Sequence, residues 1–386
     1  MRHGKAELTM AIESPSLLTG RPPGYEGYRI VDTDVHNSPG TALLPFLSER
    51  WREYLTLVGG ERGATQATPL RLTARPNANR LDTVTPSGGI GGSDPDFART
   101  QLLDEYGLSA AIISHIKATS GRHPLALQLD RIRALNDYNA AIWLAADPRW
   151  HASINTMHTD PAWSATEIAR CHEKSTRYVQ VLVEPHTERP AGDPMYWPIY
   201  QAAVERGLPV AFHVHGISNL RSGVGEQTFY FEARTALPAY AQGLVASLIF
   251  NGVFERFPDL KVVLIELQWS WAVPLAWRMD AAFELMRAEV AHLTAKPSEH
   301  FSRHFWFTTQ PNFDPEHREQ FEEVYDMFER HGFGDRLMFS SDYPHWDMDS
   351  PFESLPRGLA PDRKRRILES NAQDLYRLDL DPAGTA

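Results

Sequence analysis

Asp32-Thr33-Asp34-Val35-His36-Asn37 closes the first apolar run of the chain, residues 28–36, and decides between two α/β folds. A doubly wound sheet wants a glycine-rich turn after its first strand, where backbone amides approach a phosphate. No glycine stands here. Working outward, seven further runs rich in Val, Ile, Phe or Leu cover 110–116, 152–158, 179–184, 209–215, 261–267, 305–309 and 336–342. Most lack strict alternation, the pattern of strands buried on both faces. Helix-like segments lie between them, among them 161–174, 197–206, 271–293 and 361–376. The last carries Arg363, Lys364, Arg365 and Arg366, read as a solvated helix face. Eight strands separated by helices predict a (β/α)8 TIM barrel, which takes roughly 250 residues plus insertions.

The 386 residues fit one such barrel or two ordinary domains. Residues 1–25, polar and rich in Pro and Gly, read as an N-terminal arm, and 26–380 as the barrel. The largest insertion, 57–98, follows the first strand and holds Gly88-Gly89-Ile90-Gly91-Gly92. It leaves the end of a barrel strand where active sites form, so it reads either as a lid or as a floppy insertion. Charge argues against a nucleic-acid or anionic-membrane partner, with 38 Lys and Arg against 49 Asp and Glu, a net of −11. No apolar run reaches the roughly 18 residues of a membrane span, and the start Met1-Arg2-His3-Gly4-Lys5 does not lead into a secretory core. Cys171 is the only cysteine, which excludes an intrachain disulfide and a multi-thiolate zinc site. The cytoplasm is the expected compartment, and any metal must be held by nitrogen and oxygen.

In a barrel, side chains at the C-terminal strand ends converge on one mouth. In strand order the polar residues expected there are Asp34 with His36, His115, His158, Glu184, His213 with His215, Glu266, Gln310, and Asp342 followed by His345. The spacing of two within Asp34-x-His36 and His213-x-His215 puts each pair on one strand face. Singly, each residue has a structural explanation: a histidine bonded in the core, a turn-forming aspartate, an ion-paired glutamate. Eight polar mouths out of eight are harder to explain that way, since burying each group without a partner costs several kcal/mol. A divalent cation satisfies such a set, because imidazole and carboxylate are the ligands it takes.

Four stretches bring these positions together: Val31-Asp32-Thr33-Asp34-Val35-His36, Leu208-Pro209-Val210-Ala211-Phe212-His213, Phe254-Glu255-Arg256-Phe257-Pro258-Asp259, and Met338-Phe339-Ser340-Ser341-Asp342-Tyr343-Pro344-His345, with the tail Glu369-Ser370-Asn371-Ala372. In this order the chain resembles the amidohydrolase superfamily, in the "amidohydrolase 2" branch that contains the aminocarboxymuconate-semialdehyde decarboxylase-like proteins. The resemblance implies one divalent metal, zinc first and manganese as the alternative, held by Asp34, His36, His213 and Asp342. It also implies a homodimer. The family's usual first-strand motif is His-x-His, and Asp34 takes the first place here. Relatives that decarboxylate aromatic acids also use a carboxylate there, which adds oxygen character and widens the choice toward manganese. The second departure is Glu266, where those decarboxylases end the sixth strand with an acid/base histidine. Glu266 reads either as an acid/base with a pKa raised by burial or as an orienter of a ligand.

Around that metal, His115, His158, Glu184, Gln310 and His345 are candidates for substrate contact, His345 equally for a structural role. His215 is a catalytic candidate, able to reach substrate or a second metal. Trp269 reads as the lining of an aromatic pocket or as rim packing, and Trp271 and Phe229-Tyr230-Phe231 invite the same question. Metal-assisted hydrolysis of a small amide, lactone or carbon–carbon ketone is the first functional expectation. A metal-activated water would attack, Asp342 would take its proton, and Glu266 or His215 would protonate the leaving group. Non-oxidative decarboxylation of an aromatic or unsaturated carboxylic acid is the alternative, favoured by Asp34 and opposed by the missing sixth-strand histidine. Hydration of a double bond, or a barrel that binds without catalysing, come after these. The discriminating residue is an arginine aimed at a substrate carboxylate.

Overall fold

A computed structural model of the chain describes residues 21–58, 79–115, 124–183, 189–214, 229–312, 315 and 317–380. Its eight strands are β1 (Val31–Val35), β2 (Ala110–Ile113), β3 (Trp150–Asn155), β4 (Tyr178–Val183), β5 (Val210–His213), β6 (Val262–Ile265), β7 (Phe305–Thr308) and β8 (Leu337–Met338). All neighbours run parallel in the order β1 to β8. The ring is closed by backbone bonds from Thr33 to Phe339 (3.0 Å), His36 to Tyr343 (2.7 Å) and Asp342 to Asp34 (3.1 Å). This is the TIM barrel, and every strand residue is buried, which is why the strands read as continuous apolar runs.

Helices cover the barrel where the 3.6-residue pattern places them. Pro161–Lys174 begins on the Asp160 carboxylate, which accepts the Trp163 amide at 3.0 Å, with proline at the first turn. The stretch expected to be helical over 271–293 stops at Met286, because Phe283 is the last residue of its buried face. The basic run is ion-paired, with Lys364 buried and only Arg365 exposed, where a fully solvated face was expected. Arg363 and Arg366 both grip Glu329 (2.6 and 2.5 Å), Arg365 pairs with Glu369 (2.8 Å), and Lys364 is buried with its ammonium 4.5 Å from the Tyr25 ring centre.

Of the expected arm, 21–25 lies on the barrel, with Tyr25 buried edge-on against Phe352; 1–20 falls outside the described residues. Of the insertion, 57–58 end the helix Glu49–Val58, and 79–98 packs on the chain leaving β1 and β8. Arg80 donates its amide to Pro344 O (2.9 Å), and Ser38 donates to Gly92 O (2.8 Å). Gly92 has φ +75°, and a Cβ there would sit 2.4 Å from His36 O, so only glycine allows this approach. Residues 59–78, the rest of the proposed lid, lie outside the described set. Among the described residues no helix is long and apolar enough to cross a membrane.

Candidate metal centre

β1 and β8 end side by side, and β5 faces them across the mouth. The pairing of β1 with β2 slips between Asp32 and Val35, three residues on β1 spanning two on β2. Such a bulge re-aims side chains beside a site. Glu266 and Asp342, just past the ends of β6 and β8, both hold left-handed backbone (φ 58° and 62°). For residues with a Cβ that costs roughly 1–2 kcal/mol each and persists only where the surroundings demand it.

Asp34, His36, His213 and Asp342 are brought together, all at most 3% exposed. His213 Nε2 lies 3.1 Å from Asp34 Oδ2, and His36 Nε2 lies 3.5 Å from the same oxygen and 2.8 Å from Asp342 Oδ1. The ring hydrogen bonds settle which nitrogen points inward. His36 Nδ1 donates to Ser114 O at 2.6 Å and His213 Nδ1 to Val214 O at 2.5 Å. A carbonyl only accepts, so each Nδ1 carries a proton and each Nε2 faces the carboxylates. Two neutral imidazole lone pairs would repel those oxygens; a positive charge must sit between them. Without an ion it comes from protons. Burial opposes charging His36 and His213, yet Asp34 outweighs it and holds both above the ordinary imidazole value; in turn His36 and His213 draw Asp34 down, and His345, then His36, draw Asp342 down against burial. One oxygen of each carboxylate, Asp34 Oδ1 and Asp342 Oδ2, has no hydrogen-bond partner. Asp34, His36 and His213 each offer a ligand atom within 4.8 Å of the others, as do His36, Asp342 and His345. The donors and the orphaned oxygens fit a divalent cation, with Nδ1 protons anchored on carbonyls as metal-binding histidines require.

Behind the donors, His36 is tied to a polar column in the barrel. Ser114 Oγ contacts Ser153 Oγ (3.2 Å), Gln180 Nε2 donates to Ser153 Oγ (2.9 Å), and the Tyr376 hydroxyl donates to Gln180 Oε1 (2.9 Å). His345 Nδ1 lies 2.5 Å from Asp342 Oδ1, and its ring sits 4.6 Å from that of His36. Asp342 is thereby fixed by two imidazoles through one oxygen.

Glu266 stands at the edge of this cluster, Oε2 3.9 Å from His213 Nε2. Its other oxygen accepts from Arg234 Nη1 at 2.5 Å, and Arg234 also grips Asp347. All three are buried or nearly so, Arg234 at 3% exposure. Burial and the charge of Asp342 push the Glu266 carboxyl up to about 8, against the pull of Arg234. Sequence reasoning missed Arg234 and Asp347. Arg234 lies in the short helix Tyr230–Thr235, far from any strand, and the only signal was its place three residues after the aromatic run Phe229-Tyr230-Phe231. Asp32, also missed, is wholly buried, accepts the amides of Asp34 (3.1 Å) and Ser341 (2.9 Å), and is pushed up to about 7, first by burial. Its spacing of two from Asp34 was the available signal.

The other candidates divide. Gln310 is buried beside Asp347, its Nε2 3.5 Å from Asp347 O and its Oε1 without a hydrogen-bond partner. His115 donates from Nδ1 to Asn37 O (2.9 Å), bracing the loop after β1. His158 is buried beyond the end of β3. Glu184 and His215 fall outside the described residues. Trp269 does not line the mouth: its ring is packed in the helix layer against Phe328 (5.0 Å) and Phe321 (5.4 Å). Trp271 packs likewise, bonded to Leu267 O and stacked on Phe301. After β6 the chain has already turned outward, so these rings fill the gap between barrel and helices.

A parallel eight-stranded barrel with a buried cluster of imidazoles and carboxylates at its C-terminal mouth has the architecture of a metal-dependent barrel enzyme. The chain belongs to the amidohydrolase family, whose pattern matches residues 31–378. Among solved structures it is similar to an amidohydrolase from Mycobacterium avium subsp. paratuberculosis K-10 (20% identity, 91% of this chain and 99% of that one, TM-score 0.67). It is also similar to 5-carboxyvanillate decarboxylase from Novosphingobium aromaticivorans, complexed with manganese and 4-hydroxy-3-methoxy-5-nitrobenzoic acid (18%, 92% and 98%, TM-score 0.64). A third is dihydroxybenzoic acid decarboxylase from Polaromonas sp. JS666, with manganese and 2-nitroresorcinol (18%, 91% and 97%, TM-score 0.59). At these identities the likeness shows the shared fold.

Proposed function

We propose that this enzyme is a metal-dependent, non-oxidative decarboxylase of a hydroxylated aromatic carboxylic acid, with Asp34, His36, His213 and Asp342 as the metal ligands. One observation carries the choice of decarboxylation over hydrolysis. The group at the edge of the donor set is a buried carboxyl, Glu266, whose surroundings favour its protonated form. In decarboxylation a protonated group there is the proton donor of the bond-breaking step itself, whereas in hydrolysis it would serve only the leaving group and the base would have to be Asp342. The manganese-binding decarboxylases of the same fold support the reading. Two carboxylates in the donor set favour manganese over zinc, since carboxylate oxygen suits the harder ion.

A cation held by Asp34, His36, His213 and Asp342 would supply positive charge for an anionic, hydroxylated substrate. Glu266 delivers its proton to the ring carbon that bears the carboxylate. The bond to that carboxylate then breaks, its electron pair returns to the ring and carbon dioxide leaves. Glu266 is reprotonated from solvent. Arg234 fixes the Glu266 carboxyl and, through Asp347, ties it to the loop after β8. His345 fixes Asp342. The assembly is proposed to be a homodimer.

Hydrolysis is the second reading, favoured by Asp342 Oδ2, a buried oxygen with no hydrogen-bond partner that could accept a proton from water. Incubating manganese-loaded protein with a panel of hydroxybenzoates and a panel of lactones and amides separates the two. Equimolar carbon dioxide and hydroxyarene from the first panel is expected; turnover confined to the second would replace this reading by hydrolysis.

A further inference from the structure

The opposite end of the barrel carries a concave site unrelated to the metal centre. Lys261 and Glu266 flank β6, Lys261 at its N-terminal end and Glu266 at the mouth. Five residues of extended chain at about 3.3 Å each separate the two faces by roughly 16 Å. On the Lys261 face lies a cavity of about 380 Å³. It is lined by Lys261, Arg303, Arg377, Trp306, His304 and Asp259, together with apolar neighbours. All come from segments that enter strands or follow the final helix Asn371–Tyr376.

Its charges are unbalanced. Three cations face one carboxylate, Asp259, which is itself exposed; an adjoining cavity shares Lys261, Arg303 and Trp306 and adds Arg336, Asp335 and Asp374. Among the described residues, no carboxylate oxygen lies within 4.0 Å of the side-chain nitrogens of Lys261, Arg303 or Arg377. Arg336, next door, differs: it pairs with Asp335 at 2.8 Å and lays its guanidinium 4.3 Å from the Trp306 ring centre. The Lys261 ammonium lies 5.7 Å from the same ring. His304 adds no charge, since its Nδ1 donates to Leu260 O and burial holds its pKa down to about 4. Burial, then Arg377 and Arg336, also draw the Lys261 pKa below the ordinary lysine value, with Asp374 the one opposing charge. Arg303 and Arg377 are exposed and Lys261 is half-buried, and cations gathered on one concavity repel one another until an anion joins them. Guanidinium and ammonium donors together suit the oxygens of phosphate or carboxylate.

We propose that this floor cavity binds a small multivalent oxyanion, phosphoryl or polycarboxylate, between Lys261, Arg303 and Arg377. The volume falls in the range of small-molecule sites, about 300–1,000 Å³, and leaves room for more than a bare inorganic ion.

Titration calorimetry on the full-length, metal-loaded protein tests this with two probes, pyrophosphate for the phosphoryl source and propane-1,2,3-tricarboxylate for the carboxylate source. Saturable one-to-one binding of at least one probe is expected, and the tighter of the two identifies the source. K261Q/R377Q should weaken it at least tenfold. R303E, at an exposed position, should do the same. D342N should leave it unchanged, because an anion held at the mouth would respond to that substitution and one on the floor would not. No saturable binding of either probe, affinity unchanged in both floor variants, or affinity lost in D342N would each overturn the proposal.

Discussion

Glu266 and Arg234 form the pair on which the chemistry turns. A carboxyl that is buried, beside an anionic Asp342, and braced by one guanidinium is an acid placed to give up a proton. Replacing it by Gln keeps the shape and the bond to Arg234 while removing the proton. E266Q should lower kcat by about 10²–10⁴-fold, the usual worth of general acid catalysis; a loss under about tenfold would make Glu266 a bystander. The sign of the pH dependence follows from the acid form being the active one. The rate falls as pH rises through the Glu266 pKa, and that alkaline limb should vanish in E266Q. Arg234 is a different case. Truncating it strands two carboxyls, Glu266 and Asp347, in the interior, and an unpaired buried charge costs about 3–5 kcal/mol. R234M should therefore lower the melting temperature by several degrees, and an unchanged melting curve would contradict the bridging role. Asp34, His36, His213 and Asp342 were legible as mouth residues because barrel topology places strand ends together, and the resemblance to the amidohydrolases singled them out from the others there. Arg234 was not, since its partners are fixed by how a helix after β5 folds back, which no local spacing encodes.

At the scale of the element, strands were the easiest to read. Runs such as 209–215 and 261–267 overshoot β5 and β6 by one residue at the start and two at the end, because sequence pattern does not mark where the ladder bonds stop. What was illegible is what depends on the neighbour. The slip in β1 shows only once its pairing with β2 is known, and Trp269 faces the helix layer because the chain turns outward after β6. The basic run 363–366 looked solvated because its carboxylate partner Glu329 comes from another element, 34 residues before Arg363. β3 offers a measurable consequence. His151 is buried and bonded to Arg149 O, and burial holds its pKa down to about 4. Between that value and the unfolded one, near 6.5, the unfolded chain binds the extra proton, so this residue's contribution to stability is whole above about 6.5 and is lost as pH falls toward 4. Chemical denaturation at pH 7 and pH 5 should show a smaller acid loss in H151N than in the parent chain; equal losses would mean that His151 is protonated in the fold.

For the whole molecule, the barrel turns a sequence of modest local signals into one charged cluster. Two carboxylates and two imidazoles meet within hydrogen-bonding range at the junction of β1, β5 and β8, with their outer nitrogens tied to backbone carbonyls. Such an arrangement is stable only with positive charge at its centre, and a bound cation is also worth folding free energy, about 4 kcal/mol at a thousand times its dissociation constant. Metal content per chain, read by plasma emission spectrometry on protein purified without chelators, tests this most directly. One equivalent of manganese or zinc is expected in the parent chain, falling well below one in H213A. No metal after incubation with both ions, or full occupancy in H213A, would contradict the centre assigned to Asp34, His36, His213 and Asp342.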